Sequence, residues 1–286
     1  MLISDQVTQY KRDGYCVSAE FLSADEVARI LDEISNISSG STVANHDGSR
    51  MEMEPQQAPD GTRIRRIYEP CTHYGVFRAF SESAALLDAV EQLLGPHLRF
   101  HYSKINMKPP AIGSVVDWHQ DLAYYPLTNR DSLAVLFYLD DTDRTNGCLQ
   151  VIPGLHTGCL LDHTLDGFFQ GRITETVDES KAIPLEGNRG TAIFMNAMTP
   201  HASAPNTSSR PRRTLILSYR AADAFPIYVE GQTQNLEANA RMVRGESPSA
   251  ARFSMTSFSI PRYPQQTKSL YELQELARAR AARRLR

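Results

Sequence analysis

The stretch Val115-Val116-Asp117-Trp118-His119-Gln120-Asp121 reads as a β-strand with ionisable side chains on it. Side chains of a strand alternate between its faces, so His119 and Asp121 point one way and Gln120 the other. One imidazole and one carboxylate are thereby aimed into a single space. On either side, the chain from Leu98 to about Tyr228 consists of short apolar or alternating runs bounded by Gly, Pro, Asn and Asp. The runs are Arg99–Met107, Val115–Asp121, Leu133–Leu139, Leu149–Ile152, Thr191–Met195 and Thr214–Arg220. That rhythm predicts an all-β barrel or sandwich. Gly154 to Asn188 interrupts it with few strand signals and reads either as an insertion over one mouth of the barrel or as a poorly ordered excursion.

The flanks read differently. Residues 1–97 are expected to be mainly helical, because apolar residues recur there at helical spacing between start and stop signals. Ser23 and Glu26 form a capping box, Leu22 and Val27 a hydrophobic staple, and Val27, Ile30, Leu31 and Ile34 one buried face. A further helix is capped by Ser81 or Ser83, buries Leu86, Val90, Leu93 and Leu94, and stops at Gly95-Pro96. Ser38 to Gly61 is polar and rich in turn formers, which predicts a long loop with the character of a lid. The tail from Lys268 to Arg286 is helical in propensity and basic, and reads as a solvated terminal helix, with oligomerisation or attraction of anions as the alternative.

Composition narrows the partners. The 286 residues are 41% hydrophobic and 22% charged, ordinary values for a globular chain, and a net charge of −3 gives no electrostatic case for nucleic acid. The longest apolar run, Leu133 to Leu139, is far too short for a membrane span. Cys16, Cys71, Cys148 and Cys159 form no CxxC pair, which argues against a disulfide scaffold or a Cys-rich zinc site. A cytoplasmic protein with a small-molecule partner is expected, as a monomer or a homo-oligomer.

His-x-Asp alone is a weak signal, since a strand histidine is commonly a hydrogen-bonded structural residue. It gains weight from His201-Ala202-Ser203-Ala204-Pro205-Asn206, which follows the run Thr191–Met195, and from Arg212 just before the next apolar run. Two imidazoles and one carboxylate occupy one face of an octahedral metal and leave the other positions open, which suits Fe(II) handling a cosubstrate and O2 together. A guanidinium at Arg212 can pair with a carboxylate in bidentate fashion, and Ser203 can add a hydrogen bond. Arg210 and Arg213 compete for that role.

The chain resembles the phytanoyl-CoA dioxygenase family of Fe(II)/2-oxoglutarate-dependent oxygenases. The resemblance is carried by Lys104-Ile105-Asn106-Met107-Lys108-Pro109-Pro110, Trp118-His119-Gln120-Asp121-Leu122 with Tyr124-Tyr125-Pro126, and Asn146-Gly147-Cys148-Leu149 leading to Pro153-Gly154-Leu155-His156-Thr157-Gly158. It continues in His201-Ala202-Ser203 with Asn206 and Arg212, and in Tyr219-Arg220-Ala221-Ala222-Asp223. What it implies is a mainly β protein with flanking helices, a double-stranded β-helix (jelly roll, cupin-like). One oxygenase domain would span 1–286, divided into a helical part at 1–97, a jelly-roll core at 98–230 and a C-terminal extension at 231–286. It further implies that His119, Asp121 and His201 hold Fe(II), and that Arg212 and Ser203 bind the distal carboxylate of 2-oxoglutarate. Lys104 and Asn106 are candidates to contact the same cosubstrate. The implied reaction uses O2, releases succinate and CO2, and hydroxylates a small organic substrate. Because Asp121 is present where related halogenases lack a carboxylate, hydroxylation is expected and halogenation is not.

Other residues are assigned more loosely. Tyr124 and Tyr125 are placed either in the substrate pocket or in the core. Arg63, Arg65 and Arg66 make a solvated edge, or else Arg66 reaches the site and pairs with a carboxylate or phosphate. Trp118 is read as core packing, with shaping of the pocket as the alternative, His156 as a structural or pocket-rim hydrogen-bonding residue at a turn, and His97, His101 and His163 have no metal spacing. The rival functions are a metal-dependent hydrolase, which leaves Ser203 and Arg212 idle, and a non-catalytic binding protein on the same fold.

Overall fold

The computed structural model describes residues 1–112, 114–227, 237–255, 257–258, 261–263 and 269–284; Tyr228 and Lys268, the expected ends of two segments, lie outside them. Seven strands run in the order β1(Tyr15–Ser18), β11(Ala192–Asn196), β6(Ser132–Tyr138), β13(Arg212–Ala221), β4(Leu98–Lys108), β3(Ile64–Tyr68), β2(Met51–Met53), with β14(Arg241–Arg244) also pairing β4. A smaller sheet runs β10(Ile183–Leu185), β7(Leu149–Val151), β12(His201–Ser203), β5(Val116–His119). A short hairpin of β8(Thr164–Leu165) and β9(Phe168–Phe169) stands apart. The pairings within these sheets are antiparallel, and together they give the jelly roll with flanking helices.

The central strand β6 explains why its sequence is apolar without alternation. Leu133, Val135 and Phe137 face a core shared with α1(Ser4–Asp13), α2(Ala24–Ser38), α4(Gly75–Ser81) and α5(Ala84–Leu94). Ala134, Leu136 and Tyr138 face the smaller sheet, with Leu149, Val151, Leu185, Ile193, Met195 and Ile216. A strand covered on both faces needs apolar side chains at both parities. The capping box of α2 is present: Ser23 Oγ accepts from the Glu26 amide at 3.3 Å, and Glu26 accepts from the Ser23 amide at 2.8 Å. Ser83 is the N-cap residue of α5, and the Ser81 hydroxyl instead donates to the Arg78 carbonyl at 2.8 Å.

Several expectations need correction. Besides their helices, the first 97 residues supply β1, β2 and β3 to the larger sheet, which the sequence reading did not assign. The stretch Ser38 to Gly61 is not a continuous loop: it contains β2, whose Glu52 stands opposite Arg66. Gly154 to Asn188 is not only an insertion, because β10 from it forms an edge of the smaller sheet. Trp118 is half-buried and belongs to no core cluster. The terminal helix, α6(Leu270–Arg284), is not simply solvated: Tyr271, Leu273, Gln274 and Ala277 are buried against the body of the protein. No helix among the described residues is long and apolar enough to cross a membrane.

Candidate metal and cosubstrate site

Pairing in the smaller sheet brings the two histidines together. His201 on β12 is directly opposite His119 on β5, and their ring centroids are 4.0 Å apart. Gln120 is still extended, so the chain keeps strand alternation for one more residue, and Asp121 opens a short 3-10 turn, Asp121–Ala123. The Asp121 carboxylate thus returns to the face that carries His119. Its Oδ1 lies 3.8 Å from His119 Nε2 and 3.9 Å from His201 Nε2. All three ligand atoms lie within 4.8 Å of one another, close enough for one ion to bridge them with small side-chain adjustment.

The donor chemistry fits a divalent metal. His119 Nδ1 lies 2.8 Å from the Asp117 carbonyl and His201 Nδ1 3.0 Å from the Thr199 carbonyl. A carbonyl only accepts, so each Nδ1 carries the proton and each Nε2 keeps its lone pair for the cluster. Burial holds both imidazoles below their ordinary pKa, His119 further lowered by His201, which favours the neutral form a metal requires. All three side chains are buried, and they form the one His/Cys/Asp/Glu group suited to a metal that the described residues contain. Gln120 points away, as alternation requires, and its backbone N–H donates to His163 Nε2 at 3.0 Å. His163 therefore braces the strand from behind.

A cavity opens in front of the triad, lined by Lys104, Asn106, Ser203, Arg212, Ile216 and Tyr271 among others. Arg212 is 4% exposed, with its Nε buried and unpaired. Its rivals are committed elsewhere: Arg213 pairs with Asp140 at 2.6 Å, and Arg210 pairs with Asp143. Lys108 is buried next to Arg212; its Nζ donates to Ser203 Oγ at 2.9 Å and to the Ala204 carbonyl. Burial and the neighbouring Arg212 charge push the Lys108 pKa well down. Four residues back on the same face of β4, Lys104 sits near Asp121, and burial lowers it to about 8. Arg66 is buried behind Asn106, donating from Nε to its Oδ1 at 2.9 Å and leaving one Nη without a partner.

The aromatic wall of the cavity is Tyr271, from the C-terminal helix. Tyr124 packs edge-on against His119 at 5.6 Å, and its hydroxyl donates to the Gly171 carbonyl. Tyr125 is buried edge-on to His101 at 4.7 Å. His156 is buried against Gly14, away from the triad. Sequence reasoning missed Lys108 and Tyr271. The first could have been found by parity, since it shares a strand face with Lys104 and Asn106; the second carries no local signal.

The fold and this site define a non-haem Fe(II)- and 2-oxoglutarate-dependent dioxygenase that hydroxylates a small substrate. The chain belongs to the phytanoyl-CoA dioxygenase (PhyH) family, whose model matches residues 10–214. It is 33% identical over 270 residues to a probable alpha-ketoglutarate-dependent hypophosphite dioxygenase of Stutzerimonas stutzeri, covering 92% of this chain and 93% of the relative. A methylphosphonate hydroxylase of Gimesia maris is 29% identical over 221 residues, covering 77% and 81%. Among solved structures, EctD from S. alaskensis with 2-oxoglutarate and 5-hydroxyectoine superposes with a TM-score of 0.68 at 26% identity, over 88% of this chain and 87% of that one.

Proposed function

We propose that the substrate is a small phosphorus oxyanion, held by Lys104 with Arg66 behind it, while Arg212 and Ser203 hold the distal carboxylate of 2-oxoglutarate and His119, Asp121 and His201 hold Fe(II). The observation that carries this reading is the charge around the cavity. Lys104 and Arg212 line it with Asp121 as the one carboxylate among the lining residues, while Arg66 and Lys108 stand behind them, offset in part by Glu52 and Glu54. Fe(II) adds two positive charges, whereas Asp121 and the 2-oxoglutarate dianion supply three negative ones. Even with Lys108 neutral, positive charge remains, and a buried uncompensated cation is costly. A second anion relieves it. The names of the relatives from Stutzerimonas stutzeri and Gimesia maris point to the same substrate class.

In this reading Fe(II) held by His119, Asp121 and His201, together with 2-oxoglutarate, would supply the activation of O2, one oxygen atom leaving in succinate, the other entering the substrate as hydroxyl, and CO2 being released. The protein's own residues orient and insulate. The Asp117 and Thr199 carbonyls fix the imidazoles. Lys104 and Asn106 would hold the substrate anion in the cavity they share with Asp121, leaving its P–H or adjacent C–H bond free to react. The apolar walls Val116, Leu136, Met195 and Ile216 exclude water. Halogenation is not expected, since Asp121 fills the position a halide would take. Association into a homo-oligomer is compatible with this reading and is not required by it.

The test is succinate release in the presence of hypophosphite, methylphosphonate, ectoine or proline. Stimulation by hypophosphite or methylphosphonate is expected, with Lys104→Met raising the KM for the anion roughly tenfold or more, as for loss of a charge-assisted contact. Stimulation by ectoine or proline alone would overturn the oxyanion reading.

A further inference from the structure

The free space in front of the triad is about 40 Å³. A water molecule takes roughly 30 Å³ of liquid, and 2-oxoglutarate is several times larger. Binding of cosubstrate or substrate therefore needs side chains or a wall of the cavity to shift. Apart from the turn carrying Asp121, the described walls are strands of the two sheets and the start of α6, Leu270 and Tyr271. Strands are held by ladder hydrogen bonds; α6 belongs to neither sheet.

The way α6 is attached differs from the rest of the core. Gln274 is fully buried, accepting from the Asp117 amide at 2.9 Å and donating to the Gly171 carbonyl at 2.5 Å. Arg278 pairs with Asp117 at 2.6 Å, Arg65 with Glu275 at 3.1 Å, and Ser269 donates to Glu52 at 2.7 Å. Water can replace each of these partners when the helix lifts, and the apolar contacts to be broken are few, chiefly Leu273 against Ala123, Phe169 and Tyr263. Of the two large apolar side chains that α6 brings to the cavity, Leu270 and Tyr271, the second has its ring against the Arg65 guanidinium at 4.4 Å and the Arg66 guanidinium at 4.8 Å. The ring masks Arg66, which otherwise donates to Asn106 and keeps one Nη buried and unpaired.

We propose that α6 is a door over the active site and that Tyr271 is its working residue: the helix lifts to admit ligands and, on closing, sets Tyr271 against the bound substrate in the cavity that Arg212 and Lys104 line. The inference rests on the oxygenase assignment; the use of hypophosphite as probe rests on the substrate reading above. Arg65 joins door to frame, since it bonds Glu52 and Glu54 of the β2 edge as well as Glu275 of the helix. Closure also bears on coupling. Arg278 and Gln274 both grip Asp117, whose carbonyl holds His119, so a closed door steadies a metal ligand.

The experiment uses the full chain under anaerobic conditions, with amide hydrogen exchange followed in the apoprotein, with Fe(II) and 2-oxoglutarate, and with hypophosphite added. Amides of residues 273–278 are expected to exchange at least about tenfold more slowly once Fe(II) and 2-oxoglutarate are bound. The Glu275→Ala/Arg278→Ala variant is expected to lose protection there while keeping that of β6. Under air, Tyr271→Ala is expected to raise succinate release without substrate relative to native protein, because an open site lets cosubstrate be consumed unproductively. Equal protection of the helix with and without ligands, or native uncoupled turnover in Tyr271→Ala, would overturn the door. Failure of hypophosphite to stimulate the native protein, with ligand-dependent protection intact, would overturn the substrate reading and leave the door standing.

Discussion

At the scale of single residues, three arginines in four positions test how burial sorts chemistry. Arg210 and Arg213 are tied to Asp143 and Asp140. Arg212 faces the cavity with its Nε unpaired. A bidentate pair with a carboxylate is worth about 1.5–3 kcal/mol, so Arg212→Ala is expected to weaken anaerobic 2-oxoglutarate binding by roughly 10–100-fold, read from the visible charge-transfer band. Arg213→Ala should leave that band near native. Glu69 makes a separate prediction, about stability. Burial pushes its carboxyl up to about 7, against 4.5 ordinarily, and the Thr72 and Ser103 hydroxyls offset this only in part. Between those values the folded chain holds a proton that the unfolded chain has lost. The stabilisation is therefore complete below about 4.5 and disappears as pH rises through 7, amounting to at most about 3 kcal/mol. Urea denaturation at pH 5 and pH 8 should show this loss in the native protein and a smaller loss in Glu69→Gln.

At the scale of elements, the turn before β7 shows why a short motif fixes a site it does not enter. Gly147 has φ +82°, and a Cβ there would lie 2.4 Å from the Ala204 carbonyl oxygen and 3.2 Å from Lys108 Nζ. Gly154 has nearly the same φ, +81°, with open space around it. Gly154→Ala should therefore cost only the left-handed penalty, about 1–2 kcal/mol. Gly147→Ala should cost clearly more and also weaken 2-oxoglutarate binding, because it displaces Lys108 and the segment carrying Ser203; denaturation and the charge-transfer band measure the two effects. Legibility follows from the same physics. β4, β6 and β13 were readable because long strands packed on one or both faces impose apolar patterns over many residues. His119, Asp121, His201, Ser203 and Arg212 were readable because their residue types are costly to bury without a purpose. β2 escaped because three residues at a sheet edge carry too little pattern, and β12, His201–Ser203, is a strand chiefly by virtue of its neighbours. α6 was read as solvated because its docking mixes glutamine, arginine and glutamate with Tyr271, Leu273 and Ala277, too few apolar positions to stand out in a basic tail.

At the scale of the whole molecule, a chain with a net charge of −3 concentrates Arg66, Lys104, Lys108 and Arg212 in the interior of its sandwich. Such an arrangement is costly for the ligand-free fold, because these cations have lost much of their water and none of them forms an ion pair, Asp121, Glu52 and Glu54 acting on them only at longer range. Binding of metal and anion should therefore appear as stability of the entire domain, since the triad and the cationic residues are spread over β3, β4, β5, β12 and β13 of both sheets. A ligand at about 100 times its Kd stabilises by about 2.7 kcal/mol, which for a domain of this size is a rise in Tm of roughly 5–10 °C. Metal alone should raise Tm through His119, Asp121 and His201, and 2-oxoglutarate alone through Arg212 and Ser203. Together they should exceed the sum of the two, because each creates part of the other's site. Thermal melts with Mn(II) in place of Fe(II), so that O2 does not consume the cosubstrate, read these terms directly. His201→Ala should abolish the metal shift and the synergy while keeping a small 2-oxoglutarate shift, and Arg212→Ala should do the reverse. If 2-oxoglutarate still raised the Tm of Arg212→Ala as far as that of native protein, the distal carboxylate would have to be held elsewhere, with Lys104 and Arg66 the cations left to hold it.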